Sequence, residues 1–212
     1  MLKTDLAARA ASYASHWEQV ETALGRAVLL PDSTKRATFA ALATELKTAQ
    51  TTVITRTNDL EGAQGTRDRV GEPLQDSAAL FTAFVRASVP GSPFIPMLPK
   101  IPTKNAAAIK WEKILIDLSS IWERLDDADA STYPALSLPV TLSSGVVHTG
   151  FAADVAAYSA ALTTLRDASS EIKQAQAALR TKGKTAKDAI VAYRALVRTL
   201  FPAGHPLRAS LP

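Results

Sequence analysis

The sequence contains no cysteine, which excludes a disulfide framework, a thiolate nucleophile and a zinc–thiolate site. Glycine is sparse, at 9 of 212 residues, and aromatics make up only 6%. No segment approaches the ~18 continuous apolar residues of a membrane span, and "MLKTDLAARAAS" carries no leader pattern. The cytoplasm is therefore the default compartment, though a cysteine-free chain also suits export after leader removal. Net charge is +4, from 24 basic and 20 acidic residues. An excess this small is no nucleic-acid signature.

What is abundant is alanine, 39 of 212 residues. Much alanine with little glycine suits closely packed helices. The periodicity agrees. Leu6, Ala10, Tyr13, Trp17, Val20 and Leu24 alternate spacings of four and three, one stripe of a helix. Trp111, Leu115, Leu118, Trp122 and Leu125 repeat that phase. A longer stripe runs through Phe151, Val155, Tyr158, Leu162, Leu165, Ile172, Gln176 and Leu179. At 1.5 Å per residue this helix measures roughly 45–50 Å.

Set against itself at an offset of 112, the chain gives 14 identities over the 52 positions from 39 to 90, without a gap. Among them Phe39 meets Phe151, Gln64 meets Gln176, Gly71 meets Gly183, Arg86 meets Arg198 and Pro90 meets Pro202. At an offset of 105, Trp17-Glu18 meets Trp122-Glu123. The reading is a tandem duplication, residues 1–102 and 103–212. Each half has three helices, and together they form an all-α, elongated bundle.

The second helix of the first half is expected to run through Gly62 and Gly65, because Gln174 and Ala177 stand at the matched places. It is expected to break at Gly71, and its counterpart at Gly183, each a C-cap. Pro73 and the stretch Thr185 to Asp188 would then open third helices carrying Leu80, Phe81, Phe84 and Val85, and Ile190, Tyr193, Leu196 and Val197. Residues 128–148 allow either a short hairpin around Ser143-Ser144-Gly145 or an apolar loop over one bundle end.

Between the halves lies "VPGSPFIPMLPKIP", residues 89–102, with proline at 90, 93, 96, 99 and 102. Proline every third residue fits a polyproline II helix, whose 13 steps cover roughly 40 Å. Its apolar faces imply a strap packed on helices. A PxxP ligand for a partner is the alternative. Its counterpart is the tail 202–212, which either folds back on its own bundle or docks on another copy. The candidate interaction residues are Pro90, Pro93, Phe94, Pro96, Met97, Pro99, Leu207 and Leu211.

No catalytic set emerges. "ALRTKGKT", Ala178 to Thr185, meets a loose phosphate-loop pattern but follows a helix where a strand is needed. The same corner is basic: Arg180, Lys182, Lys184 and Lys187 beside an expected helix N-terminus form a candidate anion site. Asp126, Asp127 and Asp129 cluster, yet the glycine and glutamate of a calcium loop are missing. His16, His148 and His205 stand apart, with His16 beside the striped Trp17. Gln64 and Gln176 could form a polar layer fixing helix register. No catalytic, metal or cofactor residue is assigned.

The expectation is a non-catalytic helical structural, assembly or adaptor protein. Its partners would be proteins, reached by self-association or within a larger assembly. The alternatives are an anion- or ligand-binding bundle and, on the phosphate-loop pattern, a nucleotide-binding protein.

Overall fold

The structure, a computed structural model, describes residues 4–134 and 136–212. The first three residues of the stretch read for a leader lie outside the described part. The fold is all-α: α1 (Thr4–Leu24), α2 (Arg36–Ser88), α3 (Ala108–Asp126), α4 (His148–Leu200) and α5 (Pro206–Ala209), with a 3₁₀ turn at Ile95–Met97. No described helix is long and apolar enough to cross a membrane.

The expected breaks at Gly71 and Gly183 are corrected: in each half the segments read as second and third helices are one helix. α2 and α4 each run 53 residues without interruption. Continuous packing explains it. Along α2, Leu60, Ala63, Arg67, Gly71, Leu74, Ala78, Phe81 and Val85 keep one helical phase from one side of Gly71 to the other, and most of them are buried. Along α4, Ala168, Ile172, Ala175, Leu179, Ala186, Ile190, Tyr193 and Val197 do the same across Gly183. A buried stripe outweighs the propensity cost of one glycine, about 1 kcal/mol. It also carries Pro73 inside α2. As expected, α2 passes through Gly62 and Gly65.

The chain divides into two compact units, Met1–Asp59 with Ser169–Pro212, and Leu60–Ala168. This cut differs from a sequence boundary at 102, because each long helix contributes one part of its length to each unit.

In the first unit Trp17 is fully buried and stacks on Tyr193, with ring centroids 4.8 Å apart, and it packs on Phe39 at 5.8 Å. In the second unit Trp122 is fully buried, stacks on Phe81 at 4.5 Å and packs on Phe151 at 5.4 Å. The members correspond at the offsets of 105 and 112 seen in the sequence. Each triplet therefore takes its tryptophan and first partner from one half of the sequence and its stacking partner from the other. Both indole N–H groups are buried without a hydrogen-bond partner among the described residues. Stacking and dispersion hold these rings in place.

The loops entering the long helices also correspond. Leu29 bridges Lys35 and Thr141 bridges Val147, each pair antiparallel. The Leu30 amide donates to the Thr34 carbonyl at 3.1 Å, and the Leu142 amide to the Val146 carbonyl at 2.9 Å. The turn needs one left-handed residue, which is Ser33 (φ 65°) in one loop and Gly145 (φ 82°) in the other. A carboxylate clamps each loop to the preceding helix: Glu21 accepts from the Val28 amide at 3.0 Å, and Asp126 from the Val140 amide at 2.7 Å. Residues 141–147 thus form a single bridge, not a two-stranded hairpin.

The polyproline reading of 89–102 is also corrected. Phe94 has helical angles (φ −72°, ψ −31°) and begins the 3₁₀ turn, whereas Leu98 is extended at φ −61°, ψ 123°. Proline fixes φ near −65°, a value common to both conformations, so its spacing leaves ψ undetermined. The segment does pack on the second unit's core, with Phe94 and Val89 buried and Ile95, Leu98 and Ile101 half-buried against it.

Candidate functional site

The candidate basic corner is rebuilt by the continuity of α4. Arg180, Lys182, Lys184 and Lys187 lie mid-helix, so the amides of 178–185 are engaged in backbone hydrogen bonds and no free helix terminus faces an anion. The same continuity removes any phosphate loop from "ALRTKGKT". Lys182 pairs with Glu45, while Arg180, Lys184 and Lys187 carry no ion pair to any described residue. These three rim a groove of about 270 Å³ in the first unit, floored by Leu6, Leu46 and Leu179.

The matched groove in the second unit has another chemistry. Trp111, Tyr158 and Arg67 replace Leu6, Leu46 and Leu179, and Asp68, Glu72 and Gln75 replace Arg180, Lys184 and Lys187. Asp76 and Asp188 are unchanged. Together with Lys104, Asn105 and Ala106–Ala108 they line a cavity of about 740 Å³. Arg67 Nε donates to Asp68 at 2.7 Å and Lys104 Nζ to Asp76 at 2.8 Å. The Trp111 indole donates to the Thr103 carbonyl at 3.3 Å. Burial pushes the Tyr158 phenol above the ordinary tyrosine range. Sequence reasoning places Trp111 and Tyr158 on helix stripes but does not assign this cavity or Lys104. The available signal is the change from leucine to aromatic at matched positions.

The proline-segment residues are distributed unevenly. Pro90, Pro93, Pro96 and Met97 are exposed, Pro99 is half-buried and Phe94 is buried against Tyr133, ring centroids 6.0 Å apart. Pro90 and Pro93 face Tyr133 and Pro134 across a cleft of about 400 Å³. The C-terminal tail folds back on its own unit. Leu207 and Leu211 are half-buried against the first core, and the Tyr13 hydroxyl donates to the main-chain oxygen of Pro212.

The histidines have structural partners. His16 is 4% exposed, with Nδ1 2.8 Å from the Tyr193 hydroxyl and Nε2 2.8 Å from the Leu207 carbonyl. A carbonyl only accepts, so Nε2 carries the proton and Nδ1 accepts from Tyr193. His205 Nδ1 accepts from the Leu207 amide at 3.3 Å and caps α5. His148 Nε2 lies 3.2 Å from the Ser119 hydroxyl. In the aspartate cluster, Asp126 holds the Val140 amide and Asp129 accepts from the Ser131 amide at 2.9 Å. Among the described residues no group of three such side chains is placed to hold a metal ion. Gln64 is exposed and Gln176 half-buried, so neither is a buried polar residue.

No protein-family model, curated protein or solved structure matches this chain.

Proposed function

We propose that the chain is a non-catalytic helical adaptor, a building block of a larger homo- or hetero-assembly, written by tandem duplication. One observation carries the reading: the two units share their frame and differ in their matched grooves. Aromatic triplets, loop bridges and carboxylate clamps recur position by position. The groove lining changes from aliphatic and basic to aromatic and acidic. A frame with two chemically distinct grooves suits a protein that holds different partners at each.

Light scattering of the full chain across concentration tests the self-associating form of the proposal. A mass that rises with concentration supports it, and one monomer mass throughout overturns it.

A second reading, an anion-binding module, rests on Arg180, Lys184 and Lys187 around the leucine floor. It predicts salt-sensitive binding of phosphate or a short DNA that is lost on Lys184→Glu with Lys187→Glu. Absence of binding at low salt overturns it.

A further inference from the structure

At three matched positions the two long helices keep their fold and differ in charge. Arg180, Lys184 and Lys187 stand on α4 where Asp68, Glu72 and Gln75 stand on α2, and all but Gln75 are exposed. The frame common to the two units therefore requires neither sign, and the opposition needs another explanation.

The basic row is unfavourable as it stands. Like charges three and four residues apart on one helix face repel. Lys182 beside them is held by Glu45, but among the described residues none of the three has an ion-pair partner. Cations so placed suit an anionic surface on another molecule.

The second-unit cavity has the complementary chemistry. Asp68, Glu72 and Asp76 line it against two cations, Arg67 and Lys104. Those cations pair with Asp68 and Asp76, which leaves Glu72 without an ion pair among the described residues. Trp111 and Tyr158 complete the walls. Aromatic surface beside a carboxylate accepts both the apolar stem and the charged head of a lysine. The spacing agrees as well. Arg180 and Lys184 rise about 6 Å apart along their helix and Lys184 and Lys187 about 4.5 Å, against about 6 Å from Asp68 to Glu72 and again to Asp76.

We propose that the basic row of one copy docks on the second-unit cavity of another, with Lys184 and Lys187 entering beside the aromatic walls and Glu72 as their counter-ion. The two faces differ, so the contact is head-to-tail and propagates into a ring or a filament. This inference rests on the self-associating form of the adaptor reading and names the surfaces that form uses.

The test is light scattering of the full chain at low salt, repeated with two charge-reversed variants, Lys184→Glu with Lys187→Glu, and Glu72→Lys. The parent is expected to associate, and to weaken at least about tenfold in Kd as salt rises from about 0.05 to 0.5 M. Each variant alone carries the same net sign on both faces and is expected to stay monomeric. An equimolar mixture of the two restores opposite signs and is expected to associate again. All three positions are exposed; if a charge-reversed variant fails to fold, Lys184→Gln with Lys187→Gln is expected to weaken association by at least about tenfold. Association left unchanged by the folded variants, or a mixture that stays monomeric, overturns this docking and leaves self-association standing. A parent that is monomeric at every concentration overturns both.

Discussion

A Cβ placed on Gly71 would stand 2.8 Å from Cε2 of Tyr158. The glycine in the middle of α2 is there for close approach: it lets the α4 tyrosine ring lie against the helix backbone. The matched Gly183 has a looser neighbour, a Leu6 methyl that would lie 3.5 Å from its Cβ.

Gly71→Ala should therefore cost stability, by about 1–3 kcal/mol of overpacking, despite alanine's better helix propensity. A Cβ on Gly62 or Gly65 would meet no neighbouring atom within 4 Å, the helix's own backbone aside. Replacing either with alanine should gain about 0.5–1 kcal/mol. Urea midpoints of the three variants decide it; a stabilised Gly71→Ala would contradict the close-approach account.

Pro73 removes one amide from the α2 ladder, the one that would donate to the Arg69 carbonyl. The matched residue in α4 is Thr185. Pro73→Ala is expected to stabilise by about 1–3 kcal/mol, read as a rise in Tm.

His16 ties three segments together: α1 through its own backbone, α4 through Tyr193 and the tail through Leu207. Burial holds the Tyr193 phenol well above its usual range, so it remains a neutral donor. The His16 ring should show a protonated Nε2 and an unprotonated Nδ1 by ¹⁵N chemical shift. His16→Ala should destabilise by about 2–4 kcal/mol and make residues 202–212 protease-sensitive. A tail cleaved no faster than in the parent protein would speak against this anchoring role.

Asp126 is half-buried, and burial raises its pKa, with the Val140 amide and His148 opposing. A carboxyl whose folded pKa lies above the unfolded value favours folding below the unfolded pKa. That contribution is lost as pH rises through the folded pKa. Asp126→Asn keeps an acceptor for Val140 and removes the titration, so its stability relative to the parent should improve as pH rises above the ordinary aspartate range, about 4. Asp126→Ala loses the acceptor and should cost about 1–2 kcal/mol at neutral pH. A pH-independent difference for the Asn variant would exclude this titration.

Ser33 takes the left-handed backbone that Gly145 occupies in the matched loop. Ser33→Gly should stabilise by up to about 1 kcal/mol and Gly145→Ser should do the reverse. Chemical denaturation of the pair checks the sign.

The stripes are legible in the sequence because spacing alone sets which residues share a helix face: Trp17, Trp122, Phe39 and Phe151 all fall on predicted stripes or matched positions, and all are buried. Gly71 misleads because a glycine that ends a helix and one that admits a neighbouring ring look identical in one dimension. Only the partner, Tyr158, 87 positions away, separates them. The prolines mislead for a related reason, since they constrain one backbone angle and leave the other to packing. The exchange of stacking partners, Tyr193 onto Trp17 and Phe81 onto Trp122, leaves no local trace. The second-unit cavity is hinted at by Leu46 and Tyr158 at matched positions.

The division of the chain carries an implication for its synthesis. Residues 60–168 are contiguous and complete their core from local sequence. The other unit must wait: Trp17 and Phe39 are translated well ahead of Tyr193, which covers Trp17, with all of residues 60–168 in between. Until Tyr193 is made, the segment bearing Trp17 and Phe39 would present uncovered aromatic surface, the kind of exposure that chaperones and unintended pairings exploit. A rearranged gene that encodes residues 169–212 directly ahead of residues 1–168 would make that unit contiguous as well, and should shorten the exposure.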